Sequence, residues 1–186
     1  LLVFLPGTRE INRVASLLSQ SLGAEFVIAP LHGSLSAAEQ DVAIRPSLPQ
    51  SRKIVLATSV AETSITIDGV TMVIDCGLQR LPKFEPGAGL TRLETVRVSK
   101  ASADQRAGRA GRTAPGLCIR LWRKEQNAGL RDFTPPAILE ADLSGVVLDA
   151  SAFGIKDMSQ LKFLNPPPLP ALNEARQLLM RLDALD

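Results

Sequence analysis

Short apolar segments, alternating with amphipathic ones, dominate the first two-thirds of this 186-residue chain. The apolar segments occupy residues 1–5, 26–29, 54–57, 72–75 and 117–122. Continuous apolar runs of about 4–8 residues are typical of strands buried on both faces, as in parallel sheets. Ligands of such sheets bind beyond the carboxyl ends of the strands, so the loops after Leu5, Ala57 and Asp75 are candidate binding loops. The pattern predicts an α/β fold, with a parallel sheet that helices cover on both faces.

Two helices are predicted among the first strands. The first has apolar residues on one face, at positions 11, 14, 18 and 22, with Thr8 as its N-cap and Gly23 as its stop. Ser36 and Glu39 have capping-box spacing, so a second helix should start there and end before Pro46.

Residues 77–98 and the last fifty residues depart from this pattern. The first segment carries prolines and glycines between flanks of alternating character, which predicts a protruding antiparallel hairpin. After Pro136, apolar positions 139, 143, 147 and 150 mark a helix, and positions 172, 175, 179 and 182 mark a last one beyond a triple proline. We therefore predict one domain at residues 1–136 and the start of a second, mostly helical one at residues 137–186.

Charge is nearly balanced overall but concentrated locally. Lys and Arg number 21 against 19 Asp and Glu, a formal net charge of +2, which does not by itself imply a nucleic-acid partner. Residues 80–112, however, contain eight basic residues and three acidic ones, as a phosphate-facing surface requires. Cys76 and Cys118 lie far apart in apolar runs and in no metal-ligand spacing, which favours buried thiols in a reducing, cytoplasmic setting. No apolar run approaches the ~18 residues of a membrane span, so no membrane partner is expected.

The segment Gln-Arg-Ala-Gly-Arg-Ala-Gly-Arg, at residues 105–112, carries the strongest functional signal. On a helix, Arg109 and Arg112 are three residues apart and lie on one face. Guanidinium groups held together in this way suit polyphosphate oxygens, because each can donate paired, charge-assisted hydrogen bonds. The alternative is a solvated basic helix end, but it leaves unexplained two glycines that each cost a helix about 1 kcal/mol. The segment therefore predicts phosphate chemistry.

A hydroxyl-rich loop at residues 57–68 follows a buried strand. Its Ser and Thr side chains could donate to phosphate oxygens, and Asp68 could accept a hydrogen bond from a ribose hydroxyl. An ordinary polar turn is the alternative, and the position of the loop at the end of a strand favours function. Gly7 and Thr8, at the start of the first helix, offer a weaker anion site through free backbone N–H groups.

The chain lacks the other half of a nucleotide site. It contains no Gly-x-x-x-x-Gly-Lys-Ser/Thr loop and no Asp-Glu pair at a strand end to hold Mg²⁺. Arginines that stabilise a transferring phosphoryl group are thus present without residues that cradle the nucleotide. We expect the missing wall to belong to polypeptide outside this chain.

Together these segments resemble the second RecA-like domain of the DEAH-box (DEAH/RHA) RNA helicases of superfamily 2. Residues 2–10 match motif IV of that family, residues 57–70 match motif V, and residues 105–112 have the highly specific form of motif VI. The hairpin at residues 77–98 is similar to the family's strand-separating hairpin. The chain after Pro136 is similar to the opening of its winged-helix domain, and several short segments resemble the bacterial HrpB branch. The resemblance implies a RecA-like parallel sheet with a protruding β-hairpin, followed by a small, mostly helical winged-helix portion.

The resemblance also implies catalytic roles. Arg109 and Arg112 would be arginine fingers that reach ATP phosphates held by the absent first RecA-like domain, which would also supply the ligands of Mg²⁺. Gln105 would contact the γ-phosphate or the attacking water. The chain would be half of an ATP-dependent RNA helicase motor and, by itself, inactive.

Further roles follow for the nucleoside and for RNA. Asp68 would hold the ribose, Ser64 would sense the γ-phosphate, and Ile44 stands where eukaryotic relatives usually place a Phe against the adenine. Residues expected to contact single-stranded or duplex RNA are Gly7, Thr8, Thr58, Ser59 and Arg80. Two other classes stay open on the residues alone: a non-catalytic docking module that binds nucleic acid or protein through the basic hairpin, and a regulatory domain that binds ATP by itself.

Overall fold

The computed structural model describes residues 1–47, 50–63, 65–85, 88–112, 115–155 and 157–185. Ser64, which was expected to sense the γ-phosphate, lies outside the described residues. The chain divides into two compact units. The first comprises Leu1–Arg80 and Thr95–Thr134, and the second comprises Leu81–Glu94 and Pro135–Asp186.

A five-stranded parallel sheet forms the centre of the first unit, which confirms the predicted fold class. Its strands run in the order β2-β3-β1-β4-β7, with β1 hydrogen-bonded to β3 on one side and to β4 on the other. Their bounds are β1 Leu2–Phe4, β2 Phe26–Leu31, β3 Arg52–Ala57, β4 Met72–Asp75 and β7 Leu117–Arg120.

The central strands are apolar except for Arg52 and Lys53 at the start of β3 and Asp75 at the end of β4, because both faces of the sheet are covered. On one face Val3, Ile54 and Leu56 pack with Ile11 of the first helix. Alternate residues of the same strands point to the opposite face, where a second cluster is buried: Leu2, Phe4, Leu31, Val55, Ala57 and Val73. Each fully buried aliphatic or aromatic side chain stabilises the fold by about 1.5–3 kcal/mol. The two clusters thus hold the strand ends, and the loops that leave them, in place.

Three α-helices belong to the first unit: α1 Thr8–Ser21, α2 Ala37–Ile44 and α3 Lys100–Ala107. The predicted capping box of α2 is present, since Ser36 and Glu39 each bond to the other's backbone N–H. The expectation that Thr8 caps α1 is wrong. Gly7 is the N-cap and Thr8 is the first helical residue, because the chain leaves the extended conformation only after Gly7.

The predicted hairpin is confirmed as a separate two-stranded sheet of β5 Leu78–Glu85 and β6 Leu90–Arg97. Gly77 begins it in the left-handed region, at φ 75°, which favours glycine. The N–H of Val98 closes the base by donating to the Gly77 carbonyl at 3.0 Å.

The second unit is mostly helical, with α4 Ser144–Ala152 and α5 Leu169–Arg181. Its core contains Leu143, Val147, Met158, Leu172 and Leu179. Leu139 precedes α4 in a separate 3₁₀ turn, and Leu182 follows α5, so the two predicted helices are shorter than their apolar pattern. No helix in the described residues is both long and apolar enough to cross a membrane.

Candidate nucleotide and nucleic-acid interface

Loops from three neighbouring strands meet at the carboxyl edge of the sheet. β3, β1 and β4 are adjacent and parallel, so the loops that follow them leave from the same edge. The loop after β1 carries Gly7 and Thr8 to this edge, and the loop after β3 carries Thr58 and Ser59 to the same edge. The Ser59 side chain is exposed and Thr58 is half-buried, with its N–H donating to the Leu31 carbonyl at 3.2 Å. The structure therefore groups four of the residues that sequence predicted for RNA contact.

Arg80 adds a positive charge to the start of α1. Its Nη2 lies 3.1 Å from Oε1 of Glu10, and its guanidinium packs directly over Gly7. A Cβ at Gly7 would collide with that guanidinium. A helix N-terminus and a guanidinium both favour anions, and the carboxylate of Glu10 is the anion that lies there in the structure, so a phosphate group would replace Glu10 as the partner of Arg80.

Arg109 and Arg112 differ in how far they are buried. The α-helix ends at Ala107 and continues only as a 3₁₀ turn, Gly108–Gly111, with Arg112 as its C-cap. Arg109 is 6% exposed, whereas Arg112 is exposed. Both guanidinium groups nevertheless reach the same loop, Arg109 at Glu62 and Ile65 and Arg112 at Thr66, so the two side chains differ in exposure and not in the loop that they contact.

Arg109 is held by main-chain carbonyls of the hydroxyl-rich loop. Its Nε donates to the Glu62 carbonyl and its Nη1 to the Ile65 carbonyl, both at 2.7 Å, and its Nη2 also bonds to the Glu62 carbonyl. Burial lowers the pKa of the Arg109 guanidinium, the neighbouring charge of Arg112 lowers it further, and Glu62 opposes the shift. Arg109 therefore stabilises the loop in the structure described.

Arg112 extends toward the second half of that loop. Its Nη1 lies 3.5 Å from Oγ1 of Thr66, two residues before Asp68. A Cβ added at Gly108 or Gly111 would meet no atom of the described residues within 4 Å. The surface beside Arg112 is thus open to an approaching group.

Asp68 and Ile44 lie away from the carboxyl edge. The exposed Asp68 lines a groove of about 570 Å³ together with Arg45, Arg52 and Lys53, near the amino ends of the strands. Ile44 is half-buried at the end of α2, next to Arg45, and Gln105 is exposed in the last turn of α3. The loop at residues 57–70 therefore runs from the edge that holds Thr58 to the edge that holds Asp68.

Sequence reasoning missed the role of Arg106. It counted this residue in the basic segment, but the side chain is 0% exposed and contacts two acids. Nε lies 2.7 Å from Oε1 of Glu62, Nη1 lies 2.8 Å from Oδ1 of Asp75, and the Phe4 ring centroid is 4.9 Å from Cζ. Nη2 approaches the same Glu62 oxygen at 2.6 Å as an ion pair without hydrogen-bond geometry. The available signal was Asp75 at the end of an apolar strand, since a buried charge requires a partner of opposite sign.

The described residues contain no group of three or more His, Cys, Asp or Glu side chains that could hold a metal ion. Cys76 and Cys118 are free thiols that are half-buried, not fully buried as expected, and burial is the largest cause that raises the pKa of each. His32 is buried, and its Nδ1 lies 2.9 Å from the hydroxyl of Ser34.

Comparison with known proteins defines the class of protein. Residues 1–114 match the profile of the helicase conserved C-terminal domain. This is more than half of the chain, and the chain belongs to that family. The matched range contains the parallel sheet through β4, the hairpin and the segment at residues 105–112.

Individual relatives specify the resemblance further. The ATP-dependent RNA helicase HrpB of Escherichia coli is 46% identical over 186 residues, which are 100% of this chain and 23% of HrpB. The probable ATP-dependent RNA helicase DHX34 of Homo sapiens is 39% identical over 100% of this chain and 16% of its own length. A crystal structure of E. coli DEAH/RHA helicase HrpB matches with a TM-score of 0.94 at 45% identity, covering 100% of this chain and 24% of that one. The predicted resemblance to DEAH/RHA helicases is confirmed, and the chain spans about a quarter or less of the length of these relatives.

Proposed function

We propose that this chain is the second RecA-like half, with the start of the winged-helix portion, of an ATP-dependent RNA helicase motor. The observation that carries the proposal is Arg112. It is the exposed arginine of the motif, lies against the loop that leads to Asp68, and adjoins an open surface. A guanidinium in this position is available to a triphosphate held by a separate domain. The family match and the ATP-dependent RNA helicases among the relatives support the assignment.

The nucleotide would lie between this chain and the first RecA-like domain. That domain would supply the phosphate cradle and the ligands of Mg²⁺. Arg112 would neutralise the charge that develops on the transferring γ-phosphoryl group, which is the role of an arginine finger. Gln105 would position the attacking water, Asp68 would accept a hydrogen bond from the ribose, and Ile44 would pack against the base. Ser64 would sense the γ-phosphate.

Arg109 would act as the second finger only after it exchanges partners. In the structure its guanidinium is bonded to the carbonyls of Glu62 and Ile65. A phosphate oxygen carries a negative charge that a carbonyl oxygen lacks, so Coulomb attraction to the guanidinium adds to the hydrogen bond and a bound triphosphate can compete with these carbonyls. This exchange would make Arg109 responsive to the nucleotide.

RNA would bind at the carboxyl edge of the sheet. The start of α1 at Gly7 and Thr8, the turn at Thr58 and Ser59, and the guanidinium of Arg80 would contact phosphate and sugar, so the contacts would not depend on sequence. ATP would draw the two RecA-like domains together, hydrolysis would release them, and the contact loops would shift along the backbone.

The test is Arg112→Ala in the full-length protein, with Arg131→Ala as control. Arg131 is an exposed arginine of the same unit outside the motif. An arginine finger contributes about 10³–10⁵ to turnover, so Arg112→Ala should lose most RNA-stimulated ATP hydrolysis while still binding RNA. The control should hydrolyse ATP as the wild type does. Near-normal turnover of Arg112→Ala would remove this residue from the mechanism.

The isolated 186-residue chain should not hydrolyse ATP, because it lacks the phosphate cradle. Clear hydrolysis by the purified chain would contradict the half-site proposal. Tight ATP binding by the chain alone would instead favour a regulatory nucleotide-binding domain.

A docking module built on the hairpin is the weaker candidate. Lys83 and Arg92 each lie within salt-bridge distance of a glutamate of the same hairpin, Lys83 3.0 Å from Glu94 and Arg92 3.4 Å from Glu85. Paired charges offer less potential to a nucleic acid than free ones. RNA titration of the chain at rising salt tests this candidate, which requires strong binding with a steep salt dependence.

A further inference from the structure

Glu62 lies between the predicted RNA contacts and the predicted phosphate contacts of this chain. It follows the 3₁₀ turn Ser59–Ala61 at the carboxyl edge of the sheet. Both buried arginines of the segment at residues 105–112 bind it. Arg106 donates to the carboxylate of Glu62, and Arg109 donates to the main-chain carbonyl of Glu62. Sequence reasoning assigned Glu62 no role.

The carboxylate of Glu62 fastens the loop to α3. Oε1 accepts from Nε of Arg106 at 2.7 Å, and Oε2 accepts from the hydroxyl of Ser102 at 2.7 Å. Arg106 is 0% exposed and also pairs with Asp75. Removing the partner of a buried charge is costly, so this attachment persists while other contacts of the loop change.

The main chain of Glu62 connects two sites that were predicted separately. Its N–H donates to the Ser59 carbonyl at 2.9 Å, and Ser59 is a predicted RNA contact. Its carbonyl accepts from Arg109 at 2.7 Å, and Arg109 is a predicted phosphate contact. Two hydrogen bonds through a single residue therefore separate the RNA-facing turn from the nucleotide-facing arginine.

We propose that Glu62 is the positioning residue through which nucleotide binding alters the grip on RNA, an inference that rests on the proposed function. Arg109 has two alternative sets of acceptors, the loop carbonyls and the triphosphate, and these define two states. With Arg109 on the carbonyls, the turn at residues 59–62 is held from both sides. When Arg109 moves to the triphosphate, the carbonyl loses its donors while the carboxylate stays fixed on Arg106 and Ser102. The turn then pivots about the anchored side chain.

The proposal predicts the effect of removing the anchor. Glu62→Gln abolishes the ion pair with Arg106 but nearly preserves side-chain volume. Without the fixed carboxylate, movement of Arg109 no longer displaces Ser59, because the whole loop follows Arg109 instead of pivoting. The effect of ATP on the affinity for RNA should therefore become smaller, even if the variant binds each ligand alone as tightly as the wild type does.

The experiment measures this coupling in the full-length protein. The Kd of a labelled single-stranded RNA oligonucleotide is determined with and without a non-hydrolysable ATP analogue, and the Kd of the analogue is determined with and without RNA. The two ratios must agree, since coupling is reciprocal, and typical values are about 5–150-fold. We expect the ratio of Glu62→Gln to lie within about twofold of one.

Asp104→Asn is the matched control. Asp104 lies on α3, as Ser102 and Arg106 do, but its exposed carboxylate pairs with Arg120 at 2.7 Å. It should keep the wild-type ratio. A wild-type coupling ratio in Glu62→Gln overturns the proposal. This also holds if the variant binds both RNA and the ATP analogue more weakly while the coupling ratio is unchanged, because Glu62 would then have only a structural role.

Ser102→Ala covers the case in which Glu62→Gln does not fold. It removes only the hydrogen bond to Oε2 of Glu62 and should lower the ratio part of the way. An unchanged ratio there also overturns the proposal. If the wild-type full-length protein shows neither RNA-stimulated hydrolysis nor any coupling, the proposed function itself fails, which distinguishes the two failures.

Discussion

Among the residues of the candidate nucleotide and nucleic-acid interface, Arg106 should be the one whose replacement by alanine destabilises the fold most. The side chain is 0% exposed, as is that of its partner Asp75, and the side chain of its other partner, Glu62, is 12% exposed. Nη1 also donates to the Leu78 carbonyl at 3.1 Å, at the first residue of the hairpin. Truncation thus leaves the carboxylates of Glu62 and Asp75 and the Leu78 carbonyl without their guanidinium partner inside the protein.

The magnitude follows from these contacts. Removing one partner of a buried ion pair costs on the order of 3–5 kcal/mol. The lost cation–π contact with Phe4, desolvated in this structure, is worth up to about 2 kcal/mol more. In a chain of this size 1 kcal/mol corresponds to roughly 2–4 °C in Tm, so the ion-pair loss of about 3–5 kcal/mol by itself lowers Tm by about 6–20 °C.

Urea unfolding and thermal melting of the 186-residue chain, followed by circular dichroism, measure this loss. The matched comparison is the triple variant Arg106→Met, Glu62→Gln and Asp75→Asn, which removes the cation and both stranded charges. Replacing a buried ion pair as a whole is often neutral, so the triple variant should recover at least about 2 kcal/mol relative to Arg106→Ala. A loss below about 1 kcal/mol in Arg106→Ala, or an equal loss in both variants, would refute the reasoning from uncompensated charge.

Other predictions concern single positions. Gly77→Ala should lower Tm, because a Cβ would meet the Trp122 ring and the residue has φ 75°; an unchanged Tm contradicts this. Burial raises the pKa of the Cys76 thiol, so iodoacetamide should alkylate it more slowly in the folded chain than in urea, and equal rates would count against it. Ser36→Ala should lower Tm at pH 7. Hydrogen bonds from Ser36 lower the pKa of Glu39. The stabilisation that these bonds give to the folded state is therefore present above the unfolded carboxyl pKa of about 4.3, and it is lost as pH falls through the lower pKa of the folded state. The Tm difference between Ser36→Ala and wild type should narrow in acid, and a constant difference would exclude the carboxylate.

Local patterns in the sequence determined the elements. The strand predicted at residues 72–75 has the bounds of β4, because a short apolar run between polar loops is typical of a strand buried in a parallel sheet. The capping box of Ser36 and Glu39 was predictable because its hydrogen bonds join residues three apart. The motif at residues 105–112 indicated the family for a similar reason, since its information lies in adjacent residues.

Only the tertiary structure decided what each arginine of that motif does. Sequence spacing assigned Arg109 and Arg112 the same role, but one is buried on loop carbonyls and the other is exposed. Arg106 looked like part of a phosphate-facing surface and proved to be paired with Glu62 and Asp75 inside the protein. The partners of Arg106 and Arg109 lie 28–47 residues away in sequence. Local spacing predicts the side of a helix on which a charge lies, but the other chain segments that pack there determine whether that charge meets solvent, a carbonyl or an acid.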